Sequence, residues 1–146
     1  MILGIADPDD FSEIEYIGEQ CLPIYYKEKD LIDIKNKENY YIFKVHDNTR
    51  IYGFMVTKKQ DQNNNLHIMS ISILPKYRGN NLGSNMIHKL KEMFPYYTIT
   101  LYVQTQNNRA IRFYKKNGFI ILNELKNYYS NQENNNAYKM IFYSNH

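Results

Sequence analysis

Ser72-Ile73-Leu74-Pro75-Lys76-Tyr77-Arg78-Gly79-Asn80-Asn81-Leu82-Gly83-Ser84 is the stretch on which the fold turns. An apolar strand runs into a loop carrying Arg-Gly and Leu-Gly, and an amphipathic helix follows at once. Such a junction can hold a pyrophosphate. Successive N–H groups in a turn form an anion-binding concavity, and the unpaired amides of the helix's first turn add the positive end of its dipole. Gly79 and Gly83 are expected to clear room for phosphate oxygens and to permit positive φ. Neither the Gly-x-Gly-x-x-Gly nor the Gly-Lys-Ser/Thr nucleotide fingerprint occurs. What remains is Arg-x-x-Asn-x-Gly, from Arg78 to Gly83.

Downstream, Leu82, Met86, Leu90 and Met93 recur on one helical face, and Pro95 stops the helix. The spacing predicts a strand over 98–104. A helix then starts at Asn107, a good N-cap, carries Ala110, Ile111 and Tyr114, and closes at Gly118 in the C′ manner. Strands are expected over 119–125 and 137–143, separated by the polar stretch 130–136. Upstream, a short strand over 2–5 precedes a helix begun by Pro8, with Phe11, Ile14, Ile17 and Gly18 or Cys21 at helical spacing. Leu22-Pro23-Ile24-Tyr25-Tyr26 interrupts it, and a second short helix is expected over 27–34. Strands over 40–45 and 50–57 are joined by the turn 46–49. A polar loop over 58–65 leads into a strand over 66–74. The pattern is one α/β domain over residues 1–146 with a mixed sheet and no internal repeats.

A second constellation follows the strand over 98–104. Asn107, Ala110 and Tyr114 spell Asn-x-x-Ala-x-x-x-Tyr, and Gly118-Phe119 comes next. With the phosphate loop upstream, the chain resembles the GNAT superfamily of N-acetyltransferases. More narrowly, Leu66-His67-Ile68-Met69, Tyr77-Arg78, Leu101-Tyr102-Val103-Gln104, Ala110-Ile111-x-Phe113-Tyr114 and Lys126-Asn127-Tyr128-Tyr129 look like the San-type catalytic subunit of NatE. That family acetylates the α-amino groups of protein N-termini. Leu22-Pro23-Ile24-x-Tyr26 is similar to its substrate loop.

The resemblance implies a mostly antiparallel sheet with one splayed parallel strand pair, flanked by helices. It implies acetyl-CoA as acetyl donor and no metal. Ile71, Ser72 and Ile73 would pair with the pantetheine arm, Arg78 to Ser84 (with Asn80, Asn81 and Leu82 between) would hold the diphosphate, and Asn107 and Tyr114 would touch the same cofactor. Leu22, Pro23, Ile24, Tyr26, Met69, Tyr128 and Tyr129 would hold a substrate that begins with Met and a hydrophobic residue. Partners would be peptide or nascent-chain N-termini, with an N-acetyltransferase assembly on the ribosome as a further one that the resemblance implies, and no direct nucleic-acid or membrane contact is expected.

An α-amine has a pKa of about 7.7–8.0 against about 10.4 for lysine, so a weak base reached through one water suffices for the former. His67 and Tyr102 are the candidates for proton handling. The family has Tyr at the first position and His at the second; here they are exchanged, and which residue takes the proton stays open. Met69 should share the face of His67. Tyr114 is either the acid for the departing thiolate or a buried ring with a satisfied hydroxyl, and Asn107 binds cofactor, caps its helix, or does both. Backbone N–H groups around Ile71 are the candidates for stabilising the oxyanion. At the family's middle loop glycine stands Asn81, which tolerates left-handed φ better than other side-chain residues.

Alternatives are an acetyltransferase for lysine side chains or small amines, and a catalytically weak acyl-CoA-binding subunit. Cys21, in an apolar helical stripe, reads as a core thiol. The 146 residues carry a net charge of +3, which either helps attract a polyanionic cofactor or serves solubility, and no basic run suggests nucleic acid. The N-terminal residues run into Asp7, Asp9 and Asp10, unlike a signal peptide, and no apolar stretch nears the roughly 20 residues that span a bilayer. A reducing, cytoplasmic setting is expected, with the nucleus as a second.

Overall fold

The computed structural model describes residues 2–128 and 136–144. Strand β1 (Ile2–Ile5) leads into a 3-10 turn, Pro8–Asp10, and helix α1 (Phe11–Cys21). Asp7 opens that turn: its side chain accepts from the Asp9 N–H at 3.0 Å, while Asp10 accepts from the Asp7 N–H. Helix α2 (Glu28–Lys35) precedes the antiparallel strands β2 (Tyr40–His46), β3 (Ile51–Gln60) and β4 (Asn65–Ile73). Then come helix α3 (Leu82–Met93), strand β5 (Thr98–Gln104), helix α4 (Asn108–Lys116), and strands β6 (Ile120–Leu125) and β7 (Ala137–Phe142).

The seven strands form one sheet in the order β1-β2-β3-β4-β5-β7-β6. Every adjacent pair is antiparallel except β4 and β5, which are parallel from Asn65↔Thr98 to Ile68↔Leu101. The expected mixed sheet with one splayed parallel pair is what the chain forms. The polar residues 58–60, expected as loop, extend β3, because Lys58, Lys59 and Gln60 pair with His67, Leu66 and Asn65. Ladder bonds hold them whatever their side chains prefer.

The sheet is covered on both faces. Met86, Ile87 and Leu90 of α3 and Ile111 and Tyr114 of α4 pack with Leu66, Ile68, Ile99 and Leu101. Phe11, Ile14 and Ile17 of α1 and Leu31 and Ile34 of α2 cover Phe54 and Val56 on the other face. Met93, expected on the buried stripe, is 48% exposed, and Ile87 is fully buried. The stripe follows the 3.6-residue turn from Leu82 to Leu90, a little over two turns, and then leaves the sheet at the helix end.

The decisive irregularity lies in β4. Ile68 pairs with Thr57 but Ser70 pairs with Val56, so Met69 is an extra residue, a β-bulge. Before it, Leu66 and Ile68 face α3 and α4; after it, Ile71 and Ile73 do. One inserted residue shifts the alternation and bends the strand away from its neighbour.

Candidate active site

Beyond Ile68 and Leu101 no further pairs join β4 and β5, and a cleft of about 900 Å³ opens between them. Its β4 wall runs from Ile68 to Ile73 and its β5 wall from Leu101 to Gln104. Two groups of residues complete it. At one end stand Arg78, Gly79, Asn81, Leu82, Gly83 and Ser84, with Asn107, Arg109, Phe113, Tyr114 and Lys116 from α4. At the other stand Leu22 to Tyr26, the segment joining α1 to α2, while Cys21 of α1 reaches the Ile73 carbonyl to which Arg78 also donates.

The loop end is built for an anion. Asn81 sits at φ 60, ψ 17, left-handed, as the N-cap of α3. Its carbonyl takes the N–H of Asn85, so the amides of Leu82, Gly83 and Ser84 have no partner within the helix. Gly79 has φ +89, and a Cβ built there would meet nothing within 4 Å. Gly83 does a different job from the one expected. It lies inside α3 without positive φ, and an added Cβ would come within 2.9 Å of the Phe113 ring. It lets α4 approach α3 closely. Arg78 turns back, donating from Nε to the Ile73 carbonyl at 2.9 Å. Asn80 lies outside the cleft wall, its amide donating to the Tyr77 carbonyl.

Three cations, Arg78, Arg109 and Lys116, line this end. Arg109 and Lys116 escaped the sequence reading, although their spacing of seven on one helix was a readable signal. The diphosphate-bearing cofactor expected from the sequence fits: amides at a helix start, basic side chains, and an open glycine where the backbone can approach an anion. Asn107 both lines the cleft and caps α4, accepting from the Ala110 N–H at 3.2 Å. Tyr114 is 8% exposed, lines the cleft, and packs its ring against Phe113 and Phe119.

At the other end, Leu22, Pro23, Ile24 and Tyr26 line the cleft together, and Tyr25, not singled out from sequence, joins them. Met69 contributes its exposed side chain from the bulge. Tyr128 packs against Tyr102 with ring centroids 4.7 Å apart; Tyr129 lies outside the described residues. Burial, with the nearby Tyr40, Asp30 and Tyr128, raises the Tyr26 pKa, and burial with Tyr102 raises that of Tyr128. Both phenols therefore keep their protons at neutral pH and remain donors.

His67 and Tyr102 do meet, with ring centroids 4.9 Å apart. Only Tyr102 lines the cleft; His67 sits one step deeper, in the paired part of β4. Met69 thus lines the cleft and His67 does not, contrary to the expectation that both point to one site, and the bulge lies between them. Alternation along a strand holds only while the register is continuous. His67 Nδ1 lies 2.7 Å from Thr100 Oγ1. Burial, with Lys139 and Lys58 on either side, lowers its pKa to about 4. It is neutral at pH 7 and a weak base. Cys21 donates from Sγ to the Ile73 carbonyl at 3.4 Å and packs beside the α1 core. Among the described residues no cluster of three or more His, Cys, Asp or Glu could hold a metal ion, and no helix is long and apolar enough to cross a membrane.

A model of the acetyltransferase (GNAT) family matches residues 8–119. The chain is similar to a probable N-acetyltransferase, san, of Drosophila melanogaster, 28% identical over 142 residues, covering 90% of this chain and 74% of that protein. It is 26% identical to N-alpha-acetyltransferase 50 of Danio rerio, covering 90% and 81% respectively. Among solved structures it resembles Arabidopsis thaliana Naa50 in complex with the bisubstrate analogue CoA-Ac-MVNAL. There the TM-score is 0.80 at 27% identity, and the match covers 96% of each chain.

Proposed function

This chain belongs to the acetyltransferase (GNAT) family, and from that premise we propose that it acetylates the α-amines of protein N-termini. It is an acetyl-CoA-dependent acetyltransferase. The narrower reading is transfer to peptides that begin with Met and a hydrophobic residue, by direct attack. We place its acceptors among peptide and nascent-chain termini, with the ribosomal N-acetyltransferase assembly as the setting that the family resemblance implies.

One observation carries the reading: the cleft crosses the sheet where β4 and β5 part, and its two ends differ in chemistry. The α3 end offers amides and cations; the α1–α2 end offers Leu22, Pro23, Ile24 and tyrosines, and among the described residues lining the cleft there is no carboxylate. A polyamine or lysine chain entering there would leave its charge uncompensated, whereas a terminal Met would bury its side chain. The weak base points the same way. At pH 7 roughly a tenth of an α-amine is already neutral, but well under a thousandth of a lysine amine is. A site whose histidine has a pKa of about 4 suits the first acceptor and gives little driving force for the second.

Bound acetyl-CoA supplies the activated acetyl group. The β4 edge from Met69 to Ile73, which lacks a β5 partner, directs main-chain amides to the place where negative charge develops. Tyr114 would return a proton to the departing sulfur, and the His67–Tyr102 pair would hold the water that relays the proton of the attacking amine. The test is steady-state acetylation of Met-Leu peptides beside lysine peptides blocked at their N-termini. Turnover of the free-terminus peptides alone is expected. Acetylation of the blocked lysine peptides alone would overturn the assignment.

A further inference from the structure

The exchanged His–Tyr pair leaves one question that the packing around His67 answers, and the answer rests on the reading of that pair given above. A row of polar side chains runs along the parallel part of β4 and β5. Thr98 Oγ1 donates to Asn65 Oδ1 at 2.8 Å. The other acceptor within reach of that single proton, the Asn64 carbonyl, stands at 3.5 Å, so the shorter bond sets the Asn65 amide with its oxygen towards Thr98. Its Nδ2 then donates twice, to Gln60 Oε1 at 3.2 Å and to Thr100 Oγ1 at 3.1 Å. Thr100 is 4% exposed, and its hydroxyl oxygen lies 2.7 Å from His67 Nδ1.

A hydroxyl has one proton to give. Since Thr100 Oγ1 already accepts from Asn65, its own proton is available for His67 Nδ1. The opposite arrangement, with Nδ1–H donating, would leave the buried Thr100 proton with no acceptor among the hydrogen bonds of the described residues. Buried donors rarely go unpaired in folded proteins. From this we infer that Thr100 and Asn65 are positioning residues that lock His67 into the tautomer protonated at Nε2. In this site His67 is then a hydrogen-bond donor and not the proton acceptor.

The surroundings agree. Lys58 faces His67 from β3, Lys139 from β7, Tyr102 from β5, and Tyr128 packs on Tyr102 from the segment after β6. Among the described residues no carboxylate is one of these groups, and none of them favours an imidazolium. The one basic lone pair of the ring is turned into the sheet, towards Thr100. The N–H can orient a water or a peptide carbonyl beside Tyr102, and the proton of the amine leaves through water on the Tyr102 side.

The tautomer is read directly by two-dimensional ¹⁵N–¹H correlation of the histidine ring at pH 7. The expected His67 pattern is pyridine-like Nδ1 and pyrrole-like Nε2, preserved in Thr100→Ser and shifted towards the mixed pattern in Thr100→Val. A wild-type spectrum with protonated Nδ1 overturns the inference, and it decides alone if Thr100→Val does not fold. Kinetics give an independent readout. His67→Gln, whose amide can still donate, is expected to lose less than about tenfold in kcat/KM and to keep the wild-type pH profile. Removing a true general base would cost about a hundredfold or more and flatten the profile, which would equally sink the assignment. Absence of any peptide acetylation by the wild type, with the expected tautomer present, would strike the proposed function and spare this inference.

Discussion

The left-handed N-cap at Asn81 gives the sharpest test of how the loop holds its anion. Its φ of 60 and ψ of 17 cost an ordinary L-residue roughly 1–2 kcal/mol. Asparagine often offsets part of this through a local side-chain bond, yet Asn81 makes no side-chain cap bond to the helix. Glycine at this position removes the strain, although its freer unfolded chain returns about 0.5–1 kcal/mol. Alanine keeps the strain and adds nothing. The amides of Leu82, Gly83 and Ser84 point at the cleft only while residue 81 is left-handed, so the strain appears in cofactor affinity. About 1 kcal/mol corresponds to about fivefold. Asn81→Gly is expected to bind acetyl-CoA as tightly as wild type or up to about fivefold tighter. Asn81→Ala is expected to bind up to about fivefold more weakly. Titration calorimetry measures both, and urea unfolding separates loop strain from global stability. A tenfold loss in Asn81→Gly, or tighter binding by Asn81→Ala than by the wild type, would refute the role given to this residue.

Gly53→Ala should destabilise the sheet where β3 meets the cleft strand. The new Cβ would stand 2.4 Å from the Ser72 carbonyl oxygen, and a backbone atom in a ladder cannot rotate away. A loss of about 2–3 kcal/mol, or roughly 5–10 °C in Tm, is expected, and a change below about 2 °C in calorimetry would contradict the packing. The low pKa of His67 also sets a pH dependence. The unfolded chain takes up this proton near pH 6.5, the folded chain only near pH 4, so stability falls as pH drops through that window. The upper bound is about 3 kcal/mol, lowered by partial solvent contact. His67→Gln should lack this slope in urea melts from pH 4 to 7; identical slopes in both proteins would show that the ring is not shielded.

Much of this protein is legible along the chain. The loop from Arg78 to Ser84, the Asn107 cap, the Gly118 stop and the helical stripes are local, and local sterics and capping fix them wherever the rest of the chain goes. The same is true of the left-handed tolerance of Asn81. Other features belong to pairs of distant segments. The bulge at Met69 exists only against β3, and it decides that Met69 lines the cleft while His67 lies behind Tyr102. Gly83 looks like a phosphate glycine until Phe113 is found above it. The hydrogen-bond row through Asn65, Thr98 and Thr100 joins β4 to β5, and no spacing within either strand announces it. The sequence by itself determined the elements and the anion-binding turn, because those depend on neighbours in the chain. Register, burial and the direction of a proton were decided by tertiary structure, because each depends on which strand lies alongside.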